Sequence, residues 1–219
     1  MTHMTPMAFI NIFLAGLTII FMLVLALRSR RHRKEQEEIN RRFFEAENAA
    51  NQVRKKAIDP ELYFVADLSH LPEIPEGDPH RVERTSKRQM IRFRQPITNL
   101  ELKQMYGLSQ METLAQHEEN FNEYLKALSN WAKHLSENDQ KADALFVLDY
   151  AISLGAEFRN TYKLAADLYF QRQDIDNLDY LVDKVNRNHF HDPTVRQHVL
   201  DYVKGKIDEL EATEGIANL

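Results

Sequence analysis

Apolar and polar positions alternate along this chain in four regimes. The first is unbroken: the stretch 7–27, MAFINIFLAGLTIIFMLVLAL, runs without a single charge. A helix rising about 1.5 Å per residue over that length crosses a hydrocarbon core of roughly 30 Å, so the stretch predicts a transmembrane helix. Asn11, Gly16 and Thr18 are tolerated there because a helix satisfies its own backbone. A cleaved signal peptide fits less well: the run exceeds an ordinary signal core, no Lys or Arg precedes it, and no small-x-small site follows.

The second regime is a heptad-like stripe. Ile39, Phe43, Ala46, Ala50, Val53 and Ala57 are spaced 4-3-4-3-4 within residues 35–58, predicting an amphipathic helix. It serves either as a stalk that continues the membrane helix and packs on the protein's own body, or as a self-associating coiled coil. The third regime, residues 59–79, holds Pro60, Pro72, Pro75, Pro79 and Gly77, six acids and no Lys or Arg. Proline blocks both ladders, so the stretch predicts an extended linker. Its LYFVADL stretch is too apolar for a free tether and is expected to dock on the body.

From Pro96 onward the period is helical. Thr98 with Glu101 forms a capping-box pattern and Gly107 a C-cap signal, predicting a helix over 99–106. Ser109 with Glu112 repeats the signature and opens a long helix carrying Leu114, Phe121, Leu125, Leu128, Trp131, Ala132 and Leu135. A turn is expected at 136–140, followed by Ala144, Leu148 and Ala151. One repeat further on, Tyr162, Ala165, Ala166 and Tyr169 replace the first set, and Leu178, Val182 and Val185 the second, around a turn at 171–177. A last helix, 194–210, follows Asp192–Pro193 with Val195, Val199, Val203, Ile207 and Leu210 on one face, fit to cap the array.

This spacing resembles the tetratricopeptide repeat (TPR), a helix–turn–helix of ~34 residues in which small residues let two helices close. Leu178 and Val185 depart from it, standing where alanines are usual, so the second hairpin is expected to be splayed or degenerate. The resemblance implies an all-α superhelix that binds a peptide or helix on the concave face lined by the first helix of each hairpin. Mapped onto this chain, that face is Lys126, Ser129, Lys133, Asn160, Lys163, Asp167 and Phe170. Some members of the family clamp a terminal carboxylate there with Lys, Asn and Arg. Here Asp167 intrudes and no Arg falls in the set, so the alternative is an ordinary solvated face. The overall plan is also similar to single-span bacterial membrane proteins, a likeness that carries no activity.

Charge orients the plan. Arg28, Arg30, Arg31, Arg33 and Lys34 follow the apolar run, and only His3 and the amino terminus precede it. The positive-inside rule then places the N-terminus outside the plasma membrane and the C-terminal body in the cytoplasm. The five basic residues are candidate lipid-headgroup contacts, at roughly 1 kcal/mol each. Arg81, Arg84, Lys87, Arg88, Arg92 and Arg94 oppose only Glu83. They are expected to form a solvated segment that pairs with the acidic linker. A net charge of −5, with Phe93 the lone aromatic of that segment, argues against nucleic acid.

Chemistry is sparse. The chain has no cysteine, which excludes disulfides and thiolate chemistry. Its six glycines form no GxGxxG or GxxxxGK[ST], and GxSxG, HExxH and EF-hand loops are missing. His189, His191 and Asp192, with His198 nearby, are the one metal-like cluster, better explained as an inter-helix turn. His134 sits in the last turn of its helix, with no nucleophile at hand. The expectation is therefore no catalytic residues, cofactor or metal.

The expected units are an external terminus at 1–6, a membrane helix at 7–27 and a basic juxtamembrane helix at 28–58. A linker and basic segment follow at 59–96, TPR-like hairpins at 97–211 and a flexible tail at 212–219. The expected function is a membrane-anchored adaptor or scaffold that binds a protein partner. The alternative is a structural subunit of a larger membrane complex that self-associates through the stalk.

Overall fold

The structure, a computed structural model, describes the backbone of residues 6–188 and 190–217; side chains are described at 21, 22, 25, 28 and 29 and through 31–188 and 190–213. Among the described residues the chain is all-α. Its elements are α1 (Pro6–Asn51), β1 (Tyr63–Phe64), α2 (Val82–Ser86), β2 (Met90–Ile91), α3 (Asn99–Tyr106), α4 (Met111–Glu137), α5 (Lys141–Ser153), α6 (Arg159–Gln171), α7 (Ile175–Arg187) and α8 (Pro193–Ala217).

The helix α1 runs unbroken for 46 residues. The stretch expected to span a membrane lies within it, mostly on residues whose side chains fall outside those described. Among the described residues no helix is long and apolar enough to cross a membrane. The heptad stripe predicts a stalk that is helical to 58, but the helix ends at Asn51. The chain there leaves the helix to reach the body: Lys56 donates its backbone N–H to Tyr106 O at 3.1 Å. Asp59, ahead of Pro60, then caps a single 3-10 turn, in keeping with the bias against helix before proline. The foot of α1 is clamped on α3. Ala50 is fully buried, Lys103 pairs with Glu47, and a Cβ at Gly107 (φ +83°) would meet Val53 O at 2.8 Å. Higher up the same stripe, Ile39 and Phe43 are more than half exposed, as is the neighbouring Phe44.

Residues 59–96 are built into the body. β1 and β2 pair antiparallel, Tyr63 opposite Ile91 and Phe64 opposite Met90. The Phe64 ring packs edge-on to Phe121 at 5.1 Å, and Leu68, Leu71 and Ile74 rest on the main core, so the LYFVADL stretch docks. The basic segment departs from expectation. It does pair with the acidic linker, through β1–β2 and the Arg84 N–H on Asp78 Oδ2 at 2.9 Å, but it is no solvated strip, because Val82, Thr85, Met90 and Ile91 are buried among its charges and draw α2 and β2 onto α4. Its charges reach outward on their flexible stems. Arg88 pairs with Glu123, and Asn120 Nδ2 donates to Gln89 O at 2.9 Å.

The Thr98 capping box forms as predicted, with both reciprocal bonds to Glu101 and Gly107 closing the helix. The Ser109–Glu112 box does not. A 3-10 turn (Leu108–Gln110) precedes α4, and Gln110 Nε2 is drawn to Lys56 O at 2.8 Å, tying the start of α4 to the end of the stalk.

Two helical hairpins follow, α4–α5 and α6–α7, in the register that the repeat spacing predicts. Their turns are equivalent: Asp139 (φ 61°) and Gln173 (φ 56°) each take the left-handed conformation. Gln140 N–H bonds Leu135 O at 2.9 Å, as Asp174 N–H bonds Tyr169 O at 3.1 Å. Ala132, Ala144, Ala151, Ala165 and Ala166 are wholly buried where helices meet. Leu178 and Val185 are equally buried, yet α6 and α7 each pack more extensively on α8 than on one another, whereas α4 and α5 form the tightest pair. Larger side chains favour a wider spacing of two axes, in keeping with the less extensive α6–α7 contact.

Pro193 opens α8, and Asp192 Oδ1 accepts the Thr194 N–H at 2.8 Å. One further shift by the same 34 residues carries Ala165, Ala166 and Tyr169 onto Val199, Leu200 and Val203 of α8, all buried. Its exposed His198, Asp201, Lys204 and Asp208 give the polar outer face that a terminal cap needs. The helix reaches Ala217, so residues 212–217, expected as a flexible tail, are helical.

Candidate functional site

Six of the seven residues expected on a concave face come together. Lys126, Ser129 and Lys133 from α4 and Asn160, Lys163 and Asp167 from α6, with Asn130, Phe158 and Leu164, line a cleft of about 600 Å³. Their three- and four-residue spacings put them on one helix face, while Leu125, Leu128, Trp131 and Leu135 on the opposite face of α4 are buried. The floor is braced across the helices. Thr161 Oγ1 donates to Ser129 Oγ at 2.8 Å, and Ser129 Oγ donates to Leu125 O at 2.9 Å.

The seventh residue, Phe170, lies outside the cleft. Its ring sits under Lys206 Nζ, 4.2 Å from the centroid, because α8 continues the array and covers that end. Tyr202 OH donates to Asp167 Oδ1 at 2.6 Å, Lys206 stands 3.9 Å from the same oxygen, and Lys163 Nζ lies 4.3 Å above the Tyr202 ring. Burial, with the Asp167 bond next, pushes the Tyr202 hydroxyl up to about 12. The intruding Asp167 is thus answered from within. Lys126 and Lys133 hold only exposed partners, Glu119 at 3.4 Å and Glu137 at 3.6 Å, weak links that a ligand can replace.

Sequence reasoning missed a second cleft of about 450 Å³. It forms between the 92–97 loop, the first half of α4, the loop at Leu154–Gly155 and the end of α7, with Arg92, Arg94, Asn122, Glu118 and Glu157 in its walls. No local pattern announces it, since its walls come from segments far apart in the chain.

The remaining candidates have structural partners. His191 gives its backbone N–H to Glu157 Oε2 at 2.7 Å and its Nδ1 lies 3.0 Å from both carboxylate oxygens. His198 Nδ1 meets Arg159 Nη2 at 2.9 Å, and His189 lies outside the described residues. Among the described residues no group of three or more His, Cys, Asp or Glu is placed to hold a metal. The His134 ring lies 4.8 Å from that of His80 and 3.1 Å from Asn138 Nδ2. On α1, Arg28, Arg31, Arg33 and Lys34 are exposed, and the Arg30 side chain is outside those described.

No family model matches the chain, and no curated protein or solved structure matches it. Amide groups of Asn130 and Asn160, which can satisfy a peptide backbone, sit between lysines above a braced floor.

Proposed function

We propose that this protein is a membrane-anchored adaptor whose TPR-like hairpins bind a protein partner in the cleft between α4 and α6. The observation that carries the reading is the convergence of Lys126, Ser129, Lys133, Asn160, Lys163 and Asp167 on one cleft, positions singled out by the repeat register alone. The equivalent turns at Asp139 and Gln173 and the third-unit register of α8 support the repeat. The apolar stretch 7–27 and the basic residues after it support an anchor with the body in the cytoplasm.

The test is proximity labelling from the C-terminal body in native membranes, comparing the natural chain with Lys133→Ala/Lys163→Ala. Loss of a discrete neighbour set supports the reading, and an unchanged set removes it. Because the chain has no cysteine, single cysteines at Thr5 and Ser109 probed with an impermeant maleimide report the orientation without background.

A second reading, self-association through the stalk, draws on the exposure of Ile39, Phe43 and Phe44. Native mass spectrometry of the full chain in detergent decides it: a strict monomer excludes the homo-oligomer.

A further inference from the structure

We propose that the cleft beneath the 92–97 loop is the docking point for an acidic segment of the partner. Its carboxylates would seat on Arg92 and Arg94 before it runs over Lys126 into the α4–α6 cleft. The inference rests on reading the latter as the partner surface, and it adds the chemistry of what binds.

Arg92 carries the argument. Its backbone N–H is fixed to Leu62 O at 3.1 Å beside the buried Ile91, and its half-buried side chain stands between this cleft and a neighbouring one walled by Asp59, Glu61 and Glu101. Among the described residues its guanidinium meets no carboxylate, and its one hydrogen bond runs to Ser153 O at 3.4 Å. Burial and the neighbouring Arg94 depress its pKa, the mark of a cation without compensation. Arg94, in the same wall, makes no ion pair among the described residues. Two guanidiniums offering planar forks suit carboxylates.

The acids of the cleft do not answer them. Glu157 is engaged by the backbone N–H of His191, and Glu118, whose carboxyl burial pushes up, pairs with neither arginine among the described residues. An incoming anion therefore displaces no internal ion pair of either arginine. Space also continues from one cleft to the other. A smaller cleft of about 240 Å³ shares Glu118, Asn122 and Glu157 with the arginine cleft, and its other wall includes Lys126 and Phe158 of the α4–α6 cleft. The path gathers Arg92, Arg94, Lys126, Lys133 and Lys163 against the acids Glu118, Glu157 and Asp167, a basic excess on a chain whose net charge is −5, and that contrast selects an acidic partner.

The test uses the full chain in nonionic-detergent micelles and the fluorescence anisotropy of labelled octaglutamate, with octaglutamine as control. Octaglutamate binds and octaglutamine does not. Arg92→Gln/Arg94→Gln weakens binding at least about tenfold, the effect of losing a charge-assisted contact, and leaves the thermal midpoint unchanged. Arg92→Lys weakens it less. Equal binding by octaglutamine, an unaffected double variant, or full displacement by equimolar inorganic phosphate overturns the proposal. If Lys126→Ala/Lys163→Ala abolishes binding and the arginine variant does not, the α4–α6 surface stands and this inference falls.

Discussion

The two hairpins share a turn and differ in how they close. In α4–α5 the facing positions Ala144 and Ala151 are fully buried, and in α6–α7 the equivalent Leu178 and Val185 are too, yet only the first pair is tight. The backbone of the turns is the same, down to a left-handed residue at Asp139 and at Gln173. Turn geometry therefore sets the register of a hairpin, and side-chain size sets how far its helices stand apart. In the second hairpin the missing contact is supplied by α8, which packs on both of its helices.

Leu178→Ala tests this most severely. If Leu178 is a true packing residue, the variant loses about 2–5 kcal/mol in denaturant unfolding; a loss under ~1 kcal/mol would mean that α7 collapses onto α6 and the hairpin is merely under-closed. The reverse exchange, Ala144→Leu, imposes the second hairpin's residue on the first. It is expected to cost about 1–3 kcal/mol by overpacking, and no cost would break the size argument.

Asp149 and its counterpart in the second hairpin, Asp183, sit in different surroundings. Asp149 is half-buried, accepts the Tyr169 hydroxyl at 2.5 Å and leaves Oδ1 without a partner. Burial raises its pKa despite that bond. A raised carboxyl favours the folded state while protonated. Its contribution is complete below the unfolded carboxylate value and is lost as pH rises through the folded one. Unfolding at stepped pH from about 4 to 7 should show the natural chain losing stability relative to Asp149→Asn as pH rises. Asp183, by contrast, lies near the surface and is tied to Arg187 at 2.8 Å. The smallest effect belongs to the turns. Gln173→Gly relieves left-handed strain and gains at most about 1 kcal/mol, and Asp139→Gly gains less, since aspartate tolerates that conformation.

Much of this was legible. Thr98 and Glu101 announce their helix because a capping box is local chemistry, and the cleft residues follow from a helical period. What escaped is non-local. The ribbon joins two very short strands from distant parts of the chain, and its pairing leaves no alternation to read. Ser109 and Glu112 looked like a cap, but Gln110 found a partner on the stalk. The arginine cleft needed distant segments to meet. Phe170 was misplaced for a different reason: shifting the repeat a second time would have found Val199, Leu200 and Val203, and with them the helix that covers it.

The unbroken α1 has a mechanical consequence. Its foot is fastened to the body by Ala50, the Glu47–Lys103 pair and the close fit at Gly107, which couples the heading of the body to that of the rod. Each residue inserted between 28 and 45 would advance the body by about 1.5 Å and rotate it by ~100° about the rod. Whatever grips the upper part of this rod sets the compass bearing of the cleft. Inserting one residue would swing the cleft away from a fixed neighbour, and inserting seven would bring it back to nearly its old heading about 10 Å farther along.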